Sequence, residues 1–384
     1  MQMGIFQPAF WESRAGTRTA VGLWAILLVV LTIMVASRPE SRTVTGAYRD
    51  AAEKWVMSNP SVYENPISGF LYLPQGAMLF LPFTWMPKAL GEVLWRYAAV
   101  ALVLTGLWRV ARLGQENGWP WLWGLMAVLV IPASLASARN GQTNLHLAGL
   151  FLHVGVDLVR GARWRAVLGL LVALALKPIA VVPMLLVGAL MPTVRGKLAV
   201  GLGVFLILPF LRTDPGYAWN MMLACAEKMR TASQPDYHGF CDLEGMFRTW
   251  GVEAPRPVWT GLRVAAALGT LGLAWRSLRR MGRFGWLAVM AWGVWYLMLF
   301  NPRTEANSYA MLGPCVAWSA CWTWAAGRSR WETGSLIVFA FALGCDSYGN
   351  PIHPWTNLWL KALLTLSFGA WMARRWAFRQ EPAS

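Results

Sequence analysis

Arg163-Trp164-Arg165-Ala166-Val167-Leu168-Gly169-Leu170-Leu171-Val172-Ala173-Leu174-Ala175-Leu176-Lys177-Pro178-Ile179-Ala180-Val181-Val182-Pro183-Met184-Leu185-Leu186-Val187-Gly188-Ala189-Leu190 is apolar from Ala166 onward, and the one charge in that run, Lys177, precedes a proline. If 165–193 crossed a membrane once, the basic residues after it would fall on the side opposite those before it. Two short helices meeting at Lys177-Pro178 instead keep Arg163 and Arg165 on the same side as Arg195 and Lys197. Lysine and arginine in short loops set membrane orientation, so the two-helix alternative is the consistent one.

The rest of the chain supports a membrane setting. Its 384 residues are 57% hydrophobic and 14% charged, with a mean hydropathy of +0.42, more apolar than a soluble core of this size requires. The net charge of +16 would suggest nucleic acid in a soluble chain, but the basic residues sit in short clusters between apolar runs. Nucleic acid is therefore excluded as a partner and membrane lipid is expected. The 25 Trp and nine Tyr fit an interfacial aromatic belt.

Apolar runs lie near 20–36, 89–108, 119–137, 145–159, 165–178, 179–193, 197–211, 258–275, 285–300, 308–325, 333–345 and 357–373, which gives about twelve transmembrane helices. The expected fold is an all-α integral membrane protein forming one polytopic domain over 1–384, with both termini cytoplasmic. A signal peptide ending near Val35-Ala36-Ser37 is the alternative to an uncleaved first helix. Residues 37–88 form a first external loop whose stretch 71–87, broken by Pro82 and Pro87, is re-entrant or surface-lying; 212–257 is a long external loop. With this topology the inner side collects Arg14, Arg18, Arg109, Arg112, Arg160, Arg276, Arg279, Arg280, Arg283, Arg374 and Arg375, while short outer loops hold only Lys88, Arg139, Lys177 and Arg303. The polar loops all face one side and can line a single cavity.

The five cysteines show no CxxC spacing, and no histidine cluster or acidic pair stands at ligand spacing, so no metal and no cofactor is expected. Cys315, Cys321 and Cys345 read as small buried hydrophobes, whereas Cys225 and Cys241 share the long loop, where a disulfide is one alternative. His146 and His153 fall two turns apart on one helix face and read as packing residues.

Tyr48-Arg49-Asp50-Ala51-Ala52, Val62-Tyr63, Phe70-Leu71-Tyr72-Leu73-Pro74, Asn140-Gly141-Gln142-Thr143-Asn144, Leu176-Lys177-Pro178 and Asn301-Pro302-Arg303 follow one another in an order that resembles the polyprenyl-phosphate-sugar-dependent membrane glycosyltransferases of family 87. That family includes mannosyltransferases acting on phosphatidylinositol mannosides. The resemblance spans about residues 45–310; each motif alone is weak, and their order and common sidedness carry it. It implies the GT-C architecture, a helical membrane body whose outward loops form a site open to lipid and to the outer aqueous phase. It also implies inverting transfer of a sugar, mannose by analogy, from a polyprenyl-phosphate donor to a lipid or glycan acceptor outside the cell membrane.

Inverting transfer needs a carboxylate to deprotonate the acceptor hydroxyl, and cations or neutral donors where the leaving phosphate develops charge. The family carries an acid in the first external loop just before its tyrosine; here Thr43-Val44-Thr45-Gly46 stands there without one. Asp50, two residues after Tyr48, is the first choice for the base, against a solvated loop charge paired with Arg49 or Lys54. Glu305 is the second choice, followed by Asp346 and Asp242. Lys177, Arg139 and Arg303, with Arg248 behind them, are the candidate anion contacts, against snorkelling or loop charges. Asn140, Gln142, Asn144 and Asn307 can meet sugar hydroxyls, or cap a helix, and His238 can serve the same site. Tyr48 and Tyr72 are candidate substrate contacts, with Trp219 and Trp250 as further aromatics or depth markers. Three rivals stay open: a transporter or flippase of lipid-linked sugar, an inactive GT-C-like scaffold, and a transferase that uses basic residues in place of the carboxylate.

Overall fold

The computed structural model describes residues 8–65, 68–211, 214–233, 239–327, 329–349, 352, 356 and 358–378. Among these there is no strand. The helices are α1 (Pro8–Glu12), α2 (Arg14–Ser37), α3 (Thr45–Val56), α4 (Pro74–Thr84), α5 (Lys88–Gln115), α6 (Trp123–Asn140), α7 (Asn144–Val159), α8 (Arg163–Leu176), α9 (Val181–Leu190), α10 (Pro192–Ile207), α11 (Pro215–Ala232), α12 (Leu243–Thr249), α13 (Arg256–Met281), α14 (Gly285–Phe300), α15 (Gly313–Ala325), α16 (Arg330–Ala342) and α17 (Leu360–Met372).

Four helical stretches among the described residues are long and apolar enough to cross a membrane: Arg14–Ser37, Lys88–Gln115, Pro192–Leu211 and the continuous Arg256–Phe300. The last divides into α13 and α14 at a 3-10 turn, Gly282–Phe284. Asn144–Val159 and Pro178–Leu190 are shorter apolar helices. The sequence 163–190 is likewise broken: α8 ends at Leu176, Lys177 is extended, and a 3-10 turn at Pro178–Ala180 leads into α9. Proline at 178 cannot continue the hydrogen-bond ladder of α8, which is why the break falls there.

α7 is the centre of the bundle. It packs on α5, α8 and α14, and nearly all of its residues are buried, as an all-round apolar helix requires. Close contacts are made through glycine: a Cβ at Gly149 would lie 2.5 Å from the Leu102 carbonyl carbon. Trp24 and Trp123 hold their neighbours by donating indole N–H bonds to the carbonyls of Ala127 and Leu104.

Polar residues gather at the two ends of this bundle. At one end Arg160 pairs with Glu116, Arg283 donates to Asn117, Arg276 and Arg280 donate to the Ala377 carbonyl, and Glu332 pairs with Arg375. The other end carries the loops that form the candidate site. There the segment 37–88 is ordered around α3 and α4, which pack together; Arg49 donates to the carbonyls of Phe83 and Thr84 and so satisfies the open end of α4. The long stretch between α10 and α13 holds α11 and α12.

Candidate active site

Gly141 builds the site. It closes α6 in the left-handed conformation, φ 66°, and a Cβ there would stand 2.7 Å from Thr45 Cγ2 and 3.0 Å from Arg96 Cζ. The turn aims Gln142 and Asn144 at residues that come 163 positions later in the chain.

The result is one connected polar network. Lys177 Nζ donates to Asn144 Oδ1 at 2.7 Å. Asn144 Nδ2 donates to Gln142 Oε1 at 2.7 Å and to Asn307 Oδ1 at 2.9 Å. Gln142 Nε2 and Asn307 Nδ2 both donate to Glu305 Oε2, at 2.8 and 3.1 Å. Every amide therefore points its donor away from the ammonium and towards the carboxylate. This is the orientation that a cation at one end and an anion at the other impose. Burial lowers the Lys177 pKa; the Glu305 charge opposes that shift and the Arg303 charge adds to it.

Tyr48 and Tyr72 stand beside the network with their hydroxyls 2.9 Å apart. Burial raises both phenols above their ordinary range, and the Glu305 charge raises both further. Tyr63 and Cys225 fix Tyr72 by donating to its carbonyl at 2.8 and 3.4 Å. The Arg303 charge reaches both Tyr72 and Lys177, and its guanidinium lies 5.6 Å from the Phe240 ring centroid.

The sequence-derived candidates thus separate into two sets. Glu305, Gln142, Asn144, Asn307 and Lys177 are joined by hydrogen bonds, with Tyr48, Tyr72 and Arg303 around them. Asp50 is elsewhere: its carboxylate, 58% exposed, pairs with Lys54 at 2.9 Å along one face of α3. Arg139 is exposed beside Arg38 and Arg42, and its carbonyl accepts from Arg96. Asn140 contributes its carbonyl to the Val44 N–H at 3.0 Å. Arg248 pairs with Glu244 at 3.4 Å and Glu253 at 3.7 Å, away from Glu305. His238 lies outside the described residues.

Cys225 and Cys241 are free thiols, not a disulfide. Their elements hold them apart: Cys225 packs against Tyr72, whereas the Cys241 carbonyl accepts from Tyr309. His146 is packed against Trp95, ring centroids 4.1 Å apart, while His153 meets Thr105 and Arg109. Among the described residues no group of three or more His, Cys, Asp or Glu is arranged to hold a metal.

Two buried ion pairs support the site; of their members only Asp346 was singled out from sequence, as a candidate base. Glu92 and Arg96, four apart on α5, lie beneath the Gly141 turn. Thr43 and Thr45 donate to Glu92, and Arg96 reaches the Arg139 carbonyl. Lys361 pairs with Asp346 and donates to the Ala306 carbonyl at 2.9 Å, next to Glu305. The available signal was a charge inside each of two apolar runs.

The model of glycosyltransferase family 87 matches residues 70–237. No curated protein and no solved structure matches the chain.

Proposed function

We propose, from the match of residues 70–237 to the glycosyltransferase family 87 model, that the chain is an inverting transferase that moves a sugar from a polyprenyl-phosphate donor to a lipid or glycan acceptor. Glycosyl transfer is the activity of the family; mannose as the sugar, the lipid-phosphate donor and a site on the outer face of the cell membrane belong to the proposal. So do the twelve crossings with both termini inside, which the placement of basic and site residues at opposite ends of the bundle supports.

The observation that carries the chemistry is the polarised network ending on Glu305. Its Oε2 is held by two amides, and among the described residues its Oε1 has no hydrogen bond. In the proposed step Oε1 takes the proton of the acceptor hydroxyl. The hydroxyl oxygen then forms its bond to the anomeric carbon on the face opposite the leaving group. The bond from that carbon to the phosphate oxygen breaks, and its electron pair leaves on the phosphate, where Lys177 and Arg303 offset the charge. Glu305 is therefore placed ahead of Asp50 as the base. No step requires a metal or cofactor from these residues.

The test is transfer of radiolabelled sugar from a panel of polyprenyl-phosphate sugars by the reconstituted protein. With saturating acceptor, Glu305→Gln should lower kcat by about 10²–10⁴, the range of general-base loss, while Asp50→Asn stays within a few-fold. A fully active, folded Glu305→Gln protein removes Glu305 as base. If wild type consumes no donor at all, a flippase or scaffold takes the place of the transferase.

A further inference from the structure

A polar groove lies next to Tyr63, and its chemistry differs from that of the Glu305 network. Its volume is about 440 Å³, within the range of small-molecule sites, and it lies between α3, the chain around Gly69-Phe70, and α11. Asp50, Lys54, Ser61, Glu64 and Asn65 line it, and Lys228 enters from α11. Carboxylates, a hydroxyl and an amide beside the Phe70 side chain form the mixed surface that meets sugar hydroxyls and the apolar face of a sugar ring.

Lys228 is the anomaly in this groove. It is 5% exposed, yet among the described residues it has no hydrogen bond and no ion pair; its contact is the Tyr63 ring, 5.9 Å away. Burial lowers its pKa; the Cys225 thiol opposes that shift, and the cations Arg303 and Lys54 add to it. Its stem is buried while Nζ opens onto the groove without a counter-ion, where an anion would complete its surroundings.

We propose that this groove binds the phosphate-bearing sugar headgroup of the acceptor, with Lys228 on the phosphate and Asp50, Glu64 and Asn65 on hydroxyls. The assignment rests on the transferase reading above for the word acceptor, but not for the binding itself. The acceptor fits better than the donor because Lys177 and Arg303 already supply a cationic seat next to Glu305. Tyr63 joins the two places, touching Lys228 with its ring and donating its hydroxyl to the Tyr72 carbonyl. Asp50 thereby gains a role that its distance from the network denied it as a base.

The experiment measures binding of a radiolabelled hexose 1-phosphate to the full chain in phosphatidylcholine nanodiscs, without turnover. Wild type should bind, with inorganic phosphate competing and free hexose competing weakly. Lys228→Met should weaken binding by about tenfold or more, the effect of losing a charge-assisted contact. In the absence of anion, Lys228→Met should melt at or above the wild-type temperature, because an uncompensated charge has been replaced by a side chain of similar length. If Lys228→Met lowers the melting temperature and leaves binding intact, the lysine is structural and the proposal fails. Should that variant not fold, Asp50→Asn, on the exposed wall, must weaken binding several-fold or the groove is rejected. Displacement of the hexose phosphate by sugar-free polyprenyl phosphate would transfer the groove to the donor and overturn the acceptor assignment. Failure of wild type to transfer sugar, with Lys228-dependent binding intact, would sink the transferase and keep the site.

Discussion

Removing both partners of the Glu92–Arg96 pair should cost no more than removing either one alone. Glu92 is 3% and Arg96 2% exposed. Arg96 also donates to the Glu92 carbonyl at 2.9 Å, to Thr43 Oγ1 at 3.0 Å and to the Arg139 carbonyl at 3.1 Å, tying α5 to the start of α3 and the end of α6. Glu92→Met leaves a buried guanidinium without its carboxylate, and Arg96→Met the reverse; each is expected to cost about 3–5 kcal/mol. The double replacement loses both charges together. It leaves the Arg139 carbonyl and two threonine hydroxyls to find other partners, so its cost should be roughly 2–4 kcal/mol rather than the 6–10 that independent effects would give. Thermal unfolding of the four proteins in one detergent reads this directly. At about 2 °C per kcal/mol, each single variant should lose roughly 6–10 °C and the double variant no more than either. Losses that simply add, or a single variant as stable as wild type, would refute the claim that the two charges neutralise each other beneath the Gly141 turn.

Two further predictions follow from the same end of the molecule. Gly141→Ala forces a left-handed residue, at roughly 1–2 kcal/mol, and drives its Cβ into Thr45 and Arg96; the Gln142 and Asn144 amides should shift and transfer should fall by about a hundredfold. A kcat equal to wild type would show that the turn does not position the network. Asp242, whose carboxylate accepts the Gly245 N–H at the start of α12, is pushed up to about 6 by burial. Its folded value thus lies above the unfolded one, near 3.8, so the folded state holds the proton longer and stability falls as pH rises from about 4 to 6, then levels. Asp242→Asn keeps a good helix cap and lacks this slope, so it should match wild type near pH 4 and exceed it at pH 7 by roughly 1–3 kcal/mol in thermal or denaturant unfolding. Identical pH profiles for the two proteins would rule this out.

Much of the fold was legible because its signals are local. A run of apolar residues makes a helix wherever the backbone has no water to bond, and Pro178 marks the break in 163–190 regardless of what surrounds it. The polar residues of the site were legible for a related reason: Gln142, Asn144, Lys177 and Glu305 interrupt or border apolar runs, where a polar side chain needs a partner. Which partner was not legible. Gln142 meets Glu305 across 163 positions, and nothing in either segment specifies the other. Asp50 ranked above Glu305 because it stands two residues from Tyr48 in sequence; on α3 that spacing turns it away from Tyr48, towards Lys54 one helical turn on.

The missing acid at Thr43-Val44-Thr45-Gly46 has the same kind of explanation. Thr43 and Thr45 do not leave that place without a carboxylate: Glu92 arrives there from α5 and accepts from both hydroxyls. Arg96 neutralises it and pins it, and Tyr48, three residues beyond Thr45, turns instead towards Tyr72. A carboxylate so fully engaged stabilises the turn that carries Gln142 and Asn144, whereas a base needs an oxygen left open to the acceptor. Glu305, half-buried and bonded through one oxygen, meets that requirement. In the proposed reaction two acids thus divide the work: Glu92 holds the turn that presents the amides, and Glu305, held by those amides, takes the acceptor's proton.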